Sequence, residues 1–347
     1  MRRGSIAQPT LAFETWGELN AAKDNAVLLF TGLSPSAHAA SSTADPSAGW
    51  WEDMIGPAKP VDTDRYFVIC VNSLGSCFGS SGPASVDPAT GERYRLTFPV
   101  LTVEDIAEAA SNVLDHYGID AVHTVMGASM GGMTALSFAQ EQPGRCRRLA
   151  SISSAARSLP FSIALRSVQR EIIRTDPEWN NGNYDMEGDG PISGMRLARK
   201  LGMITYRSAA EWAERFGRER AQDYTHPENP FGIDFEVESY LESHANRFIG
   251  TFDANCYLYL SRAMDLYDAA DHGGSLEASF AQLKIDAALI IGVESDFLFP
   301  VSQQEELALA LDAHVGEVTF KRMASIQGHD SFLVDMDRFR PAIAEFF

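Results

Sequence analysis

The stretch that most restricts how this chain can fold is AVHTVMGASMGGM at residues 121–133. An apolar, β-branched run closes on Gly127-Ala128-Ser129-Met130-Gly131, and MTALSFAQEQ follows with the composition of a helix. The G-x-S-x-G spacing sets a serine on a sharp strand-to-helix turn, where small residues two before and two after it let strand and helix pack closely. The first N–H groups of the helix then point back at the serine. Read blandly, the same residues are a glycine turn before a helix. A nucleophile also needs a base and a group that orients the base, so the rest of the chain decides between the readings.

The surrounding pattern is that of an α/β protein. Strand-like runs occur at 11–19, 25–33, 65–75, 121–126, 146–155, 287–293 and 315–321, with helix-like segments at 103–119, 133–142 and 302–313. Strands alternating with helices predict a mostly parallel sheet covered on both faces. Two long irregular stretches interrupt it, at 34–64 and 75–102. Loops of such length are functional or disordered, and Trp50 and Trp51 argue that the first is anchored. From 158 to 280 the strands vanish and helical candidates dominate, at 162–174, 194–208, 209–217, 235–250 and 253–269. The expected organisation is therefore a core made of residues 1–157 and 281–347, with an all-helical cap of residues 158–280 inserted after about the sixth strand.

Chemistry collects behind two later strands. ESDFLFP puts Asp296 just past the 287–293 run, and SIQGHDSF puts His329 in a turn after the last strand. Catalytic groups of open α/β sheets gather at strand carboxyl ends. The chain order Ser129, Asp296, His329 is that of the α/β-hydrolase triad: His329 takes the serine proton, and Asp296 orients and stabilises the imidazole. Taken singly, Asp296 reads as a helix cap and His329 as a loop histidine; three members in order, each behind a strand, favour the triad. His38, in the first long loop, reads as structural or as a pocket residue. His116, His123, His226, His244, His272 and His314 lack comparable context. The backbone N–H of Met130 is one expected oxyanion donor, and that of Leu33 in TGLS the second, with Gly32 allowing close approach. The bland alternative for that segment is an ordinary glycine turn.

Bulk properties narrow the classes. A net charge of −19 argues against a nucleic-acid or anionic-membrane surface. With 45% hydrophobic and 22% charged residues, there is ample material for a core. Cys70, Cys77, Cys146 and Cys256 show no CxxC or zinc spacing and are expected as free thiols, and no His/Cys/Asp cluster implies a metal. No dinucleotide or P-loop glycine signature implies a bound cofactor. No run approaches the ~18 apolar residues of a membrane span, and no signal-peptide core follows the basic MRRGS start, so a cytoplasmic protein is expected.

With these residues assembled, the chain resembles the homoserine O-acetyltransferase family of the α/β-hydrolase fold over nearly its full length. RYFVICVNSLGSCFGSSGPASVDPATG, GASMGGMTALSFA, FEVESYLESHANRFIGTFDANCYLYLSRAMDLYD, ESDFLFP and GHDSFLVD carry the likeness. The resemblance implies a ping-pong reaction in which Ser129 accepts an acyl group from acyl-CoA, a co-substrate, and passes it to an amino-acid hydroxyl. It also implies that Arg199 binds the amino acid's carboxylate and Asp330 its ammonium group, a pairing suited to a zwitterion. Taken alone, Arg199 would be a solvated helix residue and Asp330 a helix cap. Two departures from the family pattern matter. TGLSP at 31–35 replaces a stretch commonly like HALTG, and Arg166 stands where an uncharged residue is usual. A cation at 166 can pair with the distal carboxylate of a succinyl group, which acetyl lacks; otherwise Arg166 is a surface residue. The ADPSAGWW stretch is a further feature expected to reshape the acceptor pocket. Together they resemble the serine O-succinyltransferase branch, which feeds cysteine synthesis, ahead of homoserine acylation for methionine synthesis and, more remotely, a serine esterase. The resemblance further implies a homodimer through the helical cap, and the chain's start near the first family strand leads one to expect a missing N-terminal piece.

Overall fold

The structure, a computed structural model, describes residues 4–185, 188, 190–221 and 230–347; His226 lies outside the described residues. Among the described residues nine strands form: β1 (Phe13–Trp16), β2 (Ala26–Phe30), β3 (Ile55–Gly56), β4 (Val61–Asp62), β5 (Phe67–Val71), β6 (Val122–Ala128), β7 (Cys146–Ile152), β8 (Ala287–Val293) and β9 (Glu317–Met323). Seven of them make one sheet in the order β1-β5-β2-β6-β7-β8-β9, while β3 and β4 pair within the first long loop. Only the edge strand β1 runs antiparallel to its neighbour, with Phe13 opposite Val71. The others are parallel, and Phe30 of β2 lies opposite Gly127 of β6. Strand carboxyl ends therefore share one rim, which is where the loops carrying Ser129, Asp296 and His329 emerge.

The helices are α1 (Val103–Tyr117), α2 (Met130–Glu141), α3 (Pro160–Thr175), α4 (Ile192–Tyr206), α5 (Ala209–Phe216), α6 (Glu236–Phe248), α7 (Ala254–Leu266), α8 (Leu276–Phe280), α9 (Val301–Asp312), α10 (Ser331–Val334) and α11 (Met336–Ala344). The inner strands are buried on both sides, and alternation divides their side chains between two cores. Leu28, Phe30, Ile69, Val71, Val125 and Ile290 pack with α1, α2 and α9. Val27, Leu29, Val68, Cys70, Met126 and Ile291 pack with Trp51 and with Phe339 and Ile343 of α11.

The expected strands are present, but the early ones are shorter: 11–19 contracts to Phe13–Trp16 and 65–75 to Phe67–Val71. At Gly17 the backbone turns through φ +77° against the Tyr66 carbonyl, where a Cβ would lie 2.2 Å from that oxygen, so pairing cannot continue. Between β7 and β8 no strand forms among the described residues, and α3–α8 fill the interval. The helical interval follows the fifth strand of the main sheet, because β3 and β4 form a separate ladder.

The long loop before β5 is anchored. Trp50 and Trp51 stack with ring centroids 5.4 Å apart. The Trp51 indole donates to the Phe332 carbonyl at 3.0 Å, tying the loop to α10. Glu52 accepts from the backbone N–H groups of Ser41 and Gly49, which hold its carboxyl at a pKa of about 2. His38 bridges Glu14 and the Ser47 carbonyl, a structural role.

Candidate active site

Ser129 sits at the turn between β6 and α2 with φ 56° and ψ −123°. That strained left-handed backbone is a known mark of functional turns. Its neighbours allow it: a Cβ on Gly127 would lie 2.3 Å from the Gly131 backbone, and one on Gly131 would lie 2.3 Å from the Phe30 carbonyl oxygen. Strand, turn and helix thus meet at a distance that only glycine permits. The Ser129 N–H is spent on the Ile152 carbonyl at 2.9 Å, which leaves the hydroxyl to face the rim.

His329 and Asp296 converge on that hydroxyl. His329 Nε2 lies 2.8 Å from Ser129 Oγ, and Nδ1 lies 2.7 Å from Asp296 Oδ2. The other Asp296 oxygen accepts the N–H groups of Leu298 and Phe299, both at 2.9 Å, so the carboxylate cannot rotate away. Both side chains are buried. Burial pushes the imidazole's pKa down, but the Asp296 carboxylate outweighs it and leaves His329 above its ordinary 6.5. The ring is clamped as well, stacked on Phe299 at 5.2 Å with Phe332 edge-on at 5.9 Å.

Met130 occupies the first position of α2, so its N–H is among the helix's donors without an intrahelical acceptor. Beside it, the Gly32 backbone approaches the elbow closely enough that a Cβ there would lie 4.0 Å from the Ala128 carbonyl oxygen. Leu33 follows Gly32 and packs its side chain on the larger core.

Arg199, on α4, carries its guanidinium 4.5 Å from the Phe248 ring centroid and 5.8 Å from that of Tyr206. Its Nε is buried with no hydrogen-bond partner, and among the described residues no carboxylate pairs with it. Asp330, next to His329, lies 3.4 Å from Arg207 Nε and keeps a quarter of its side chain accessible. Burial raises its pKa, against the pull of Arg207, His329 and Arg199. Arg166 is 5% exposed and not on the surface. It already holds Asp265, through Nε at 2.6 Å, and among the described residues only its Nη1 lacks a partner.

Sequence reasoning did not single out Phe299, Tyr206, Arg207 or Asp265. A signal existed for Tyr206: it lies seven residues after Arg199 on one helix, which places both on the same face. Arg207, the next residue, supplies the partner that Asp330 was not expected to have. Among the described residues, no group of three or more His, Cys, Asp or Glu could hold a metal ion. The four cysteines are free thiols. No helix among the described residues is long and apolar enough to cross a membrane.

A mostly parallel sheet with a strained serine elbow and a histidine–carboxylate relay at its rim defines an α/β hydrolase, and the family model described as alpha/beta hydrolase fold matches residues 25–333. The chain belongs to the homoserine O-acetyltransferase family of that fold. It is 59% identical to the serine O-succinyltransferase of Litchfieldella anticariensis, over 99% of this chain and 94% of the relative. It is 55% identical to the enzyme of the same name from Stenotrophomonas maltophilia, over 99% and 93%. In structure it is similar to homoserine O-acetyltransferase from Bacillus anthracis, with a TM-score of 0.89, 28% identity and coverage of 97% of this chain and 91% of that one. Esterase E22 is similar too, with a TM-score of 0.87, 29% identity and coverage of 97% and 94%.

Proposed function

We propose that this protein transfers the succinyl group of succinyl-CoA to the hydroxyl of L-serine through an ester on Ser129. The observation that carries the reading is the relay from Ser129 Oγ through His329 to Asp296, at 2.8 and 2.7 Å. In the first half-reaction Ser129 Oγ attacks the thioester carbonyl while His329 Nε2 takes the hydroxyl proton. The oxyanion is met by the Met130 N–H and, from across the β2 turn, by that of Leu33. The thiolate of CoA leaves with the proton from His329. In the second half-reaction the acceptor hydroxyl gives its proton to His329 and attacks the ester, and Ser129 departs with that proton.

Arg199 and Asp330 hold the acceptor in this reading. An unpaired guanidinium takes the carboxylate, and Asp330 takes the ammonium group in competition with Arg207. Residues 158–280 act as the cap that keeps water from the acyl-enzyme. Exposed Phe161 and Val168 on α3, with Leu197 and Ile204 on α4, support closure of a homodimer through this cap. The protein works in the cytoplasm with no resident metal or cofactor. Serine is preferred to homoserine as acceptor because the relatives at 52–59% identity carry the serine name, whereas the homoserine enzyme of known structure stands at 28%.

The test is a donor and acceptor panel: succinyl-CoA or acetyl-CoA with L-serine, L-homoserine or neither, followed by release of free thiol. Succinyl-CoA with L-serine should react fastest. Faster reaction of acetyl-CoA with homoserine would replace the substrate assignment. Equal thiol release without any amino acid would favour hydrolysis, the chemistry in the name of esterase E22.

A further inference from the structure

We propose that Asp265 and Arg170 are positioning residues for Arg166, holding one of its guanidinium nitrogens open for the far carboxylate of the acyl group. This rests on the reading of Arg166 as the contact for a dicarboxylic acyl donor. Arg166 and Arg170 are four residues apart on α3, and Ser261 and Asp265 are four apart on α7, so two pairs of side chains face each other across the helices. Asp265 is shared between the two cations. Its Oδ1 accepts from Arg166 Nε at 2.6 Å, and its Oδ2 lies 2.7 Å from Arg170 Nη2. Arg170 Nη1 donates to the Ser261 hydroxyl at 3.0 Å and to the Ser261 carbonyl at 3.3 Å. Arg166 Nη2 donates to the Ser158 hydroxyl at 2.6 Å, and Ser158 in turn donates to the Met264 carbonyl at 2.7 Å. Every nitrogen of Arg166 is therefore engaged except Nη1, which is buried and has no partner among the described residues.

Charge points the same way as the hydrogen bonds. Two guanidinium groups share one carboxylate, and among the described residues no second carboxylate pairs with either, which leaves one positive charge uncompensated there at side chains only 6% and 18% exposed. An uncompensated buried charge is costly, so the cluster is built for one more anion. Its place relative to the relay fits an acyl chain. The Arg166 guanidinium lies 5.9 Å from the Phe299 ring centroid, and Phe299 itself stacks on His329 at 5.2 Å, so one aromatic ring is within a side chain's reach of both. Arg166 is also close enough to draw the His329 pKa down against Asp296. A succinyl carboxylate completes the cluster, whereas an acetyl group leaves Nη1 bare. A site made to bond a group discriminates strongly against the analogue that lacks it.

The experiment compares kcat/KM for succinyl-CoA with that for acetyl-CoA in the wild type, Asp265→Asn, Asp265→Glu, Arg170→Met and Arg166→Ala. Asp265→Asn adds uncompensated positive charge but removes the charge-assisted bond that orients Arg166, and a positioning role predicts that the lost orientation dominates and lowers the succinyl-to-acetyl ratio by about tenfold or more, chiefly through KM for succinyl-CoA. Asp265→Glu should recover part of the ratio. Arg170→Met, which leaves Asp265 to neutralise Arg166, should lower it as well, and this variant decides the matter if Asp265→Asn does not fold. A ratio that falls in Arg166→Ala but stays at the wild-type value in Asp265→Asn or Arg170→Met overturns the positioning role and leaves the donor reading intact. A ratio unchanged in Arg166→Ala overturns the donor reading, and the positioning role with it.

Discussion

Replacing Asp296 by asparagine preserves shape and removes charge, and the local geometry fixes which way the new amide must turn. Oδ1 of Asp296 accepts two backbone N–H groups, from Leu298 and Phe299, at 2.9 Å each. An amide NH2 cannot accept there, so the asparagine oxygen keeps that position and the NH2 turns to His329 Nδ1. The imidazole must then present an unprotonated Nδ1 to a donor, which moves its proton to Nε2. That nitrogen faces Ser129 Oγ at 2.8 Å and, once protonated, cannot take the hydroxyl proton. A wrong-tautomer change of this kind costs about 10⁴-fold in kcat, or about 5.4 kcal/mol. Thiol release from succinyl-CoA at saturating L-serine measures it, and a thermal melt establishes that the variant is folded. A folded variant within about tenfold of wild type would refute the assignment of Asp296 as the group that fixes the tautomer.

Three more outcomes follow from the same geometry. Trp51→Phe removes the buried indole bond to the Phe332 carbonyl and leaves that oxygen unpaired, so urea unfolding should show a loss of ~1–3 kcal/mol; no loss would mean that the loop is not anchored there. Arg199→Ala should raise KM for L-serine by roughly 10–100-fold, with a smaller change in KM for succinyl-CoA; the reverse pattern would remove Arg199 from the acceptor site. The base form of His329 is neutral and its pKa is raised, so kcat/KM should fall as pH drops, with a midpoint above 6.5. The same shift acts oppositely on stability: its contribution is full below the unfolded value near 6.5 and is lost as pH rises through the folded value. An acid limb centred below 6.5 would contradict the dominance of the Asp296 charge.

What the sequence disclosed was what local patterning carries. Ser129 was legible because a strand, two glycines and a helix follow one another without interruption, and Asp296 and His329 because each stands just past a strand. The strand order was not legible, since the antiparallel β1 at the edge and the separate β3–β4 ladder depend on contacts far apart in the chain. The same holds for Arg166: its charge is visible in IALRSVQR, but Asp265 lies 99 residues away on another helix. Only the packing of α3 on α7 makes them partners, and only that packing turns a residue that could have been a surface cation into a buried one. Phe299 sits inside ESDFLFP, yet its stacking on His329 depends on the turn that brings the two loops together.

The proposed chemistry requires Ser129 to carry the acyl group between donor and acceptor. Intact-protein and peptide mass spectrometry after rapid mixing with succinyl-CoA, without amino acid, tests it most directly. One succinyl group, located on Ser129, is expected, and it should disappear on addition of L-serine as O-succinyl-L-serine forms. A succinyl group found on another residue, or an enzyme that turns over at full rate in the Ser129→Ala form, would contradict it.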